Sequence, residues 1–126
     1  MNVELNRFDN SPLVVHNLKR YEKKIVIKIH EILRQRDLSL SDLHRMTGIR
    51  IASLSELSNA RKSTLNIIHI VVIMQALRIT DVREIFDIQF NEEVIEEWNE
   101  EMEGYEKGLT VKQQKEVEEN LKLMEK

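Results

Sequence analysis

Three groups of side chains in this sequence are of types that do chemistry. Ser53, Ser55 and Ser58 are closely spaced hydroxyls; His16, His30, His44 and His69 are four imidazoles; Glu92, Glu93, Glu96, Glu97, Glu100 and Glu101 crowd carboxylates into ten residues. A serine nucleophile of the hydrolase type needs a G-x-S-x-G turn to lift it clear of its strand, and none surrounds these serines. The histidines show no i,i+4 pairing and no neighbouring carboxylate pattern. They read as surface or satisfied, partly buried side chains rather than ligands or bases. The carboxylates lack the Asp/Gly pattern of a calcium loop and read as a solvated helix face. The chain has no cysteine, which excludes disulfides, thiolate metal sites and a cysteine nucleophile. Its 3 glycines leave no loop to cradle a phosphate. The chemistry is therefore that of binding: no catalytic residue, no metal and no cofactor is expected.

Charge separates along the chain. Residues 1–91 hold fourteen Lys/Arg against ten Asp/Glu, residues 92–126 hold five Lys against twelve Glu, and residues 17–62 alone carry a net +6. A mildly basic body suits a polyanionic partner, while an acidic tail does something else. No apolar run approaches the roughly 18 residues of a membrane span, so no membrane is expected. Nothing at the N-terminus reads as a signal peptide. With the absence of cysteine, this gives an expected cytoplasmic location.

The elements that must position these groups are helices. Aromatics are 5% of the chain, so the core must be aliphatic, and 3 Gly with 1 Pro leave little for hairpins. Residues 1–10 read as a loose arm. Ser11-Pro12 reads as a helix start, with a short strand at 13–16 as the competing reading. From Leu18 the spacing Leu18, Tyr21, Ile25, Ile29, Ile32, Leu33 is helical and breaks at Asp37. Ser39 and Asp42 form a capping-box pattern for a helix with Leu40, Leu43 and Met46 inward; Gly48 ends it. A second short helix, Ile51 to Asn59, turns Leu54 and Leu57 inward. Thr64 is expected to cap an apolar helix to Leu77, with Leu65, Ile68, Val71, Val72 and Met74, and Thr80 a short helix from Asp81 to Asp87. In the tail, Asn91 caps a helix with Val94, Ile95, Trp98 and Met102 on one stripe. Thr110 and Gln113 then open a closing helix with Val117, Leu121 and Met124 at spacings of four and three.

The segment Ser39–Arg61 stands out. Two short helices meet at a glycine that accepts positive φ, followed by an apolar plug, Ile49. Leu43 anchors the first helix, and Leu54 and Leu57 the second. Such a scaffold holds the second helix by its inner side and leaves its outer side free to enter a major groove. On Leu38-Ser39, Leu43, Gly48-Ile49, Leu54, Leu57, Asn59 and the close Ala76-Leu77-Arg78-Ile79-Thr80, the sequence resembles the Cro-type phage-repressor helix-turn-helix family. The resemblance runs from about Ile25 to Phe86. It implies an all-α, five-helix domain that binds double-stranded DNA, usually as a dimer on a two-fold symmetric site. It further implies that Arg50, Ile51, Ala52 and Ser55 face bases and that Asn59, Arg61 and Lys62 face phosphates. Arg50 suits a guanine edge, and Ile51 or Ala52 a thymine methyl. His44 stands where the family usually has Ala, so its side chain must tilt outward or open the helix pair. Ala60 stands where Gly is commoner.

The expected organisation is an N-terminal arm (1–17), a helix-turn-helix domain (18–90) and an acidic helical tail (91–126). The tail is a candidate dimerisation element through Trp98, Met102, Val117, Leu121 and Met124. Trp98 serves either docking within the chain or a subunit interface. The expected function is a sequence-specific DNA-binding transcriptional regulator, a repressor acting as a homodimer. The alternative is a protein-interaction module on the same scaffold, an inhibitor or antitoxin-like binder. Apolar Ile51 and Ala52 motivate that alternative, as does an acidic tail able to meet a protein partner.

Overall fold

In the computed structural model, which describes residues 11–60 and 64–125, helices dominate and one small sheet joins them. The order is α1 (Pro12–Leu18), β1 (Lys23–Ile27), α2 (Ile29–Gln35), α3 (Leu40–Thr47), α4 (Ile51–Ser58), α5 (Ile67–Leu77), a 3-10 turn (Val82–Glu84), β2 (Phe86–Phe90), α6 (Glu92–Met102) and α7 (Val111–Met124). The chain divides into two compact units. One is built on Lys24–Gln89, and the other joins residues 11–23 to 90–125.

The first unit has an aliphatic core. Ile29, Ile32 and Leu33 enter it from α2, Leu43 from α3, Leu54 from α4, and Ile70, Ile73 and Leu77 from α5. Ile49, Ile79 and Ile85 plug it from the connections. Helix α3 packs on both α4 and α5.

Strands β1 and β2 pair in a two-stranded sheet, which corrects the all-α, five-helix expectation. The helix read from Leu18 onward is a strand followed by α2. Ile25-Val26-Ile27 is a β-branched run, stiff at χ1 and suited to a pleated surface. Lys28 N–H then donates to the Ile85 carbonyl at 2.7 Å. The helix read over 81–87 shrinks to one 3-10 turn capped by Asp81, whose carboxylate accepts from Arg83 N–H at 3.0 Å; Phe86 already belongs to β2. Asn66 rather than Thr64 caps α5, accepting from Ile68 N–H at 3.0 Å and His69 N–H at 3.2 Å. Met46 is exposed rather than inward, and of the apolar residues read for α5, Leu65, Ile68 and Val71 are exposed as well.

In the second unit, α1 packs on α7, and Ser11 caps α1 with Pro12 in its first turn, as the dipeptide suggests. Arg20 donates to the Glu119 carboxylate at 2.8 Å and to Asn120 Oδ1 at 3.3 Å. Trp98 lies edge-on to Tyr21, centroids 4.9 Å apart, and the same distance from Phe90. The Tyr21 hydroxyl donates to the Glu116 carboxylate, which holds the phenol's pKa above its usual value. Thr110 caps α7 with the reciprocal Gln113 bond and donates to Glu101 at 2.6 Å. Among the described residues, no helix is long and apolar enough to cross a membrane.

Candidate nucleic-acid interface

The site is built on α3, the turn after it, and α4. Helix α3 starts where Ser39 Oγ accepts from Asp42 N–H at 3.1 Å and the Asp42 carboxylate accepts from Ser39 N–H at 2.8 Å. That backbone bond, then the Ser39 hydroxyl, and then Arg45 hold the Asp42 carboxyl below the usual carboxylate range.

Gly48 ends α3 in the left-handed region, at φ 80°, and its N–H donates to the His44 carbonyl at 2.8 Å. An added Cβ would meet nothing within 4 Å, so glycine is favoured here by backbone conformation alone. Thr47 Oγ1 donates to the Leu43 carbonyl at 2.7 Å and accepts from Ile49 N–H at 3.1 Å. His44 is half-buried. Its Nδ1 lies 2.6 Å from the Ile49 carbonyl oxygen. A carbonyl only accepts, so the ring donates. Two α3 side chains thus satisfy both main-chain polar groups of Ile49, whose own side chain is buried.

Arg50 follows at the N-cap of α4, extended at ψ 143°; its side chain makes no cap bond and is exposed. Leu54 and Ser58 face inward and are fully buried. Ile51, Ser55 and Asn59 recur every four residues along a stripe that flanks Leu54 and Ser58, with Ala52 farther round the helix. Ile51 and Ala52 are exposed; Ser55 and Asn59 are half-buried. Asn59 Nδ2 donates to the Ser55 carbonyl at 2.9 Å and to Ser55 Oγ at 3.2 Å, and its Oδ1 lies 3.3 Å from His30 Nε2. His30 stands on α2, and sequence reasoning passed over it, because its partner is 29 residues away and no local pattern links them. Arg61 and Lys62 lie outside the described residues. No group of three or more His, Asp or Glu among the described residues could hold a metal ion.

Residues 28–91, half of the chain, match the sequence model of the Cro/C1-type HTH DNA-binding domain. The chain belongs to this family. The match runs from Lys28, just before α2, to Asn91, just past β2, and so contains α3, the Gly48 turn and α4. No curated protein and no solved structure matches the chain. For this Cro/C1-type domain, the His44–Ile49 bond shows how a bulky residue is accommodated in the motif: it lies over the turn and braces it. Ala60 takes φ 54° while 5% exposed, so the left-handed conformation a glycine would adopt freely is held here by a buried alanine.

The five residues read as dimerisation candidates belong to the second unit. Trp98 is half-buried among Tyr21 and Phe90, whereas Met102, Val117, Leu121 and Met124 are exposed.

Proposed function

We propose that this chain is a transcriptional regulator that reads duplex DNA with the outer side of α4 and represses by occupying its site as a dimer. The single observation that carries the reading is that Arg50, Ile51 and Ala52 stand exposed at the start of a helix that Leu54 and Ser58 lock into the core. In this reading Arg50 takes a guanine edge and Ile51 or Ala52 packs on a thymine methyl. Arg61 and Lys62 neutralise phosphates. Asn59, whose amide protons are already taken by Ser55, stands behind Ser55 rather than on a phosphate. The domain, 18–90, does the reading, and the tail, 91–126, pairs two copies. Exposed Met102, Val117, Leu121 and Met124 supply the apolar contact, while Trp98 is spent within its own unit. Pairing matters because one small domain covers only about 600–1,000 Å² of protein surface on DNA.

The test is anisotropy of the full chain on random-sequence and selected duplexes across salt, with solution mass measured alongside. Binding should weaken linearly in log salt, and Lys62→Ala should lower that slope by about one. Salt-independent binding, or no binding to any duplex, sinks the reading.

A second reading, a protein-interaction module, has its own observation. Ile67 and Ile68 at the start of α5 are 73% and 66% exposed, with Val71 beside them. A stoichiometric partner that co-purifies without DNA, and is lost in Ile51→Asp or Ile68→Asp, would favour it.

A further inference from the structure

Helix α7 shows two different sides. Gln113, Glu116 and Asn120, at steps of three and four, make the partly buried side, where α7 packs on α1. There Glu116 accepts from the Tyr21 hydroxyl, and Arg20 donates to Asn120 Oδ1 at 3.3 Å and to Glu119 at 2.8 Å. About a quarter turn round the helix runs a second stripe, Gln114, Val117, Leu121 and Met124, at steps of three, four and three. All four are exposed, Leu121 at 52% and Met124 at 64%. Alternating steps of three and four are the repeat of a seam between two paired helices. Glu118 and Glu125 stand on one flank of the stripe, Gln113 and Asn120 on the other, and neither flank carries a cation. A guanidinium cannot accept, so the Arg20 contact fixes the oxygen of the Asn120 amide toward Arg20 and turns its nitrogen away. Among the described residues that nitrogen has no partner.

We infer that α7 pairs in parallel with α7 of a second copy of this chain, along Gln114, Val117, Leu121 and Met124, with Asn120 donating to the partner's Glu125. This rests on the reading that the tail pairs two copies, and gives that pairing its surface and its direction. The flanks decide the direction. Two copies of α7 laid the same way bring each Asn120 beside the partner's Glu125 and each Gln113 beside the partner's Glu118, so an amide meets a carboxylate on both flanks. Laid in opposite directions, Glu118 meets the partner's Glu118, with no cation beside the seam to offset the repulsion. A lone helix of 14 residues is marginal in water. Here Arg20 and Tyr21 hold α7 in place before the copies meet, so association does not bear the cost of ordering it. The seam is short, about two heptads, so copies exchange and mixed pairs form on standing.

The test combines sedimentation of the full chain over a concentration series with disulfide capture. The chain has no cysteine, so each introduced one reports alone. Gln114→Cys and Met124→Cys should each link to their own kind in a parallel pair. In an antiparallel pair these two positions lie opposite each other, so only a mixture of the two variants links; like positions are then about 15 Å apart, beyond disulfide reach. Lys122→Cys, on the outward side, should stay unlinked. Leu121→Glu should keep the wild-type circular dichroism and weaken pairing roughly 10-fold or more, because it sets a carboxylate in an apolar seam. Asn120→Asp still accepts from Arg20 but turns a carboxylate toward Glu125. It should weaken pairing roughly 3- to 10-fold, and Asn120→Asp/Glu125→Lys should restore it. Positions 120 and 125 lie about 140° apart on one helix, so that rescue has to act between copies. Linking in the mixture only, a dimer untouched by Leu121→Glu, or no rescue by Glu125→Lys overturns the inference while leaving a dimer standing. A wild-type chain that stays monomeric at every concentration defeats the pairing itself.

Discussion

His44 Nδ1 donates to the carbonyl oxygen of Ile49 at 2.6 Å, tying the last turn of α3 to the residue just before α4 begins. The bond replaces close packing with a directional contact at the point that sets the angle of the second helix. Replacing His44 by Ala removes the donor and leaves the Ile49 carbonyl without it, at a cost of about 1 kcal/mol. His44→Asn keeps a donor near the Nδ1 position. Thermal unfolding should show His44→Ala about 4 °C below wild type, with His44→Asn recovering most of the difference. Equal melting of His44→Ala and wild type would remove the brace from the account.

The Ser39–Asp42 box makes the start of α3 acid-sensitive. Ser39→Ala should cost about 1 kcal/mol. The Asp42 carboxyl is held below its usual pKa by Ser39 N–H, the Ser39 hydroxyl and Arg45. A depressed folded-state pKa contributes stability that is fully present above the ordinary carboxylate range and is lost as pH falls through the folded value. Asp81, depressed by Arg83, acts in the same direction. Melts from pH 7 down to pH 3 should therefore show wild type losing more stability than Asp42→Asn. Parallel pH profiles would contradict this.

Ser58 Oγ is buried with no hydrogen-bond partner among the described residues, and the residue is 1% exposed. A hydroxyl stranded in an aliphatic core costs desolvation without return. Ser58→Ala removes that cost and leaves only a small void. Urea unfolding should show it more stable than wild type by about 1 kcal/mol. A variant less stable than wild type would mean the hydroxyl has a role in the core.

Where determinants are local, the sequence was legible. The capping boxes at Ser39 and Thr110 join residues three apart, and the Gly48 turn with its Ile49 plug is read in four residues. Leu43 and Leu54 were placed inward by periodicity and are fully buried. The strands were not legible, because each needs the other from about sixty residues away. The four-residue step from Ile25 to Ile29 counterfeited a helix across the β1–α2 junction. Val82, Ile85 and Phe86 did the same for the 3-10 turn and β2. On α5 nearly every residue from Ile67 to Met74 is apolar, so periodicity could not choose the buried face; tertiary packing chose Ile70, Ile73 and Leu77. In the site, Arg50, Ile51 and Ala52 stand exposed on the α4 side, but the engagement of Asn59 depends on His30 from another helix, which only the fold brings near.

Site selection from a random duplex pool, run in parallel with wild type and Arg50→Ala, bears most directly on α4 as the reading element. Wild type should enrich a two-fold symmetric sequence with a guanine at a defined place in each half-site. Arg50→Ala should lose the preference at that place, worth about 1–3 kcal/mol per half-site, and keep the rest. An unenriched pool, or the same consensus from both proteins, would contradict it.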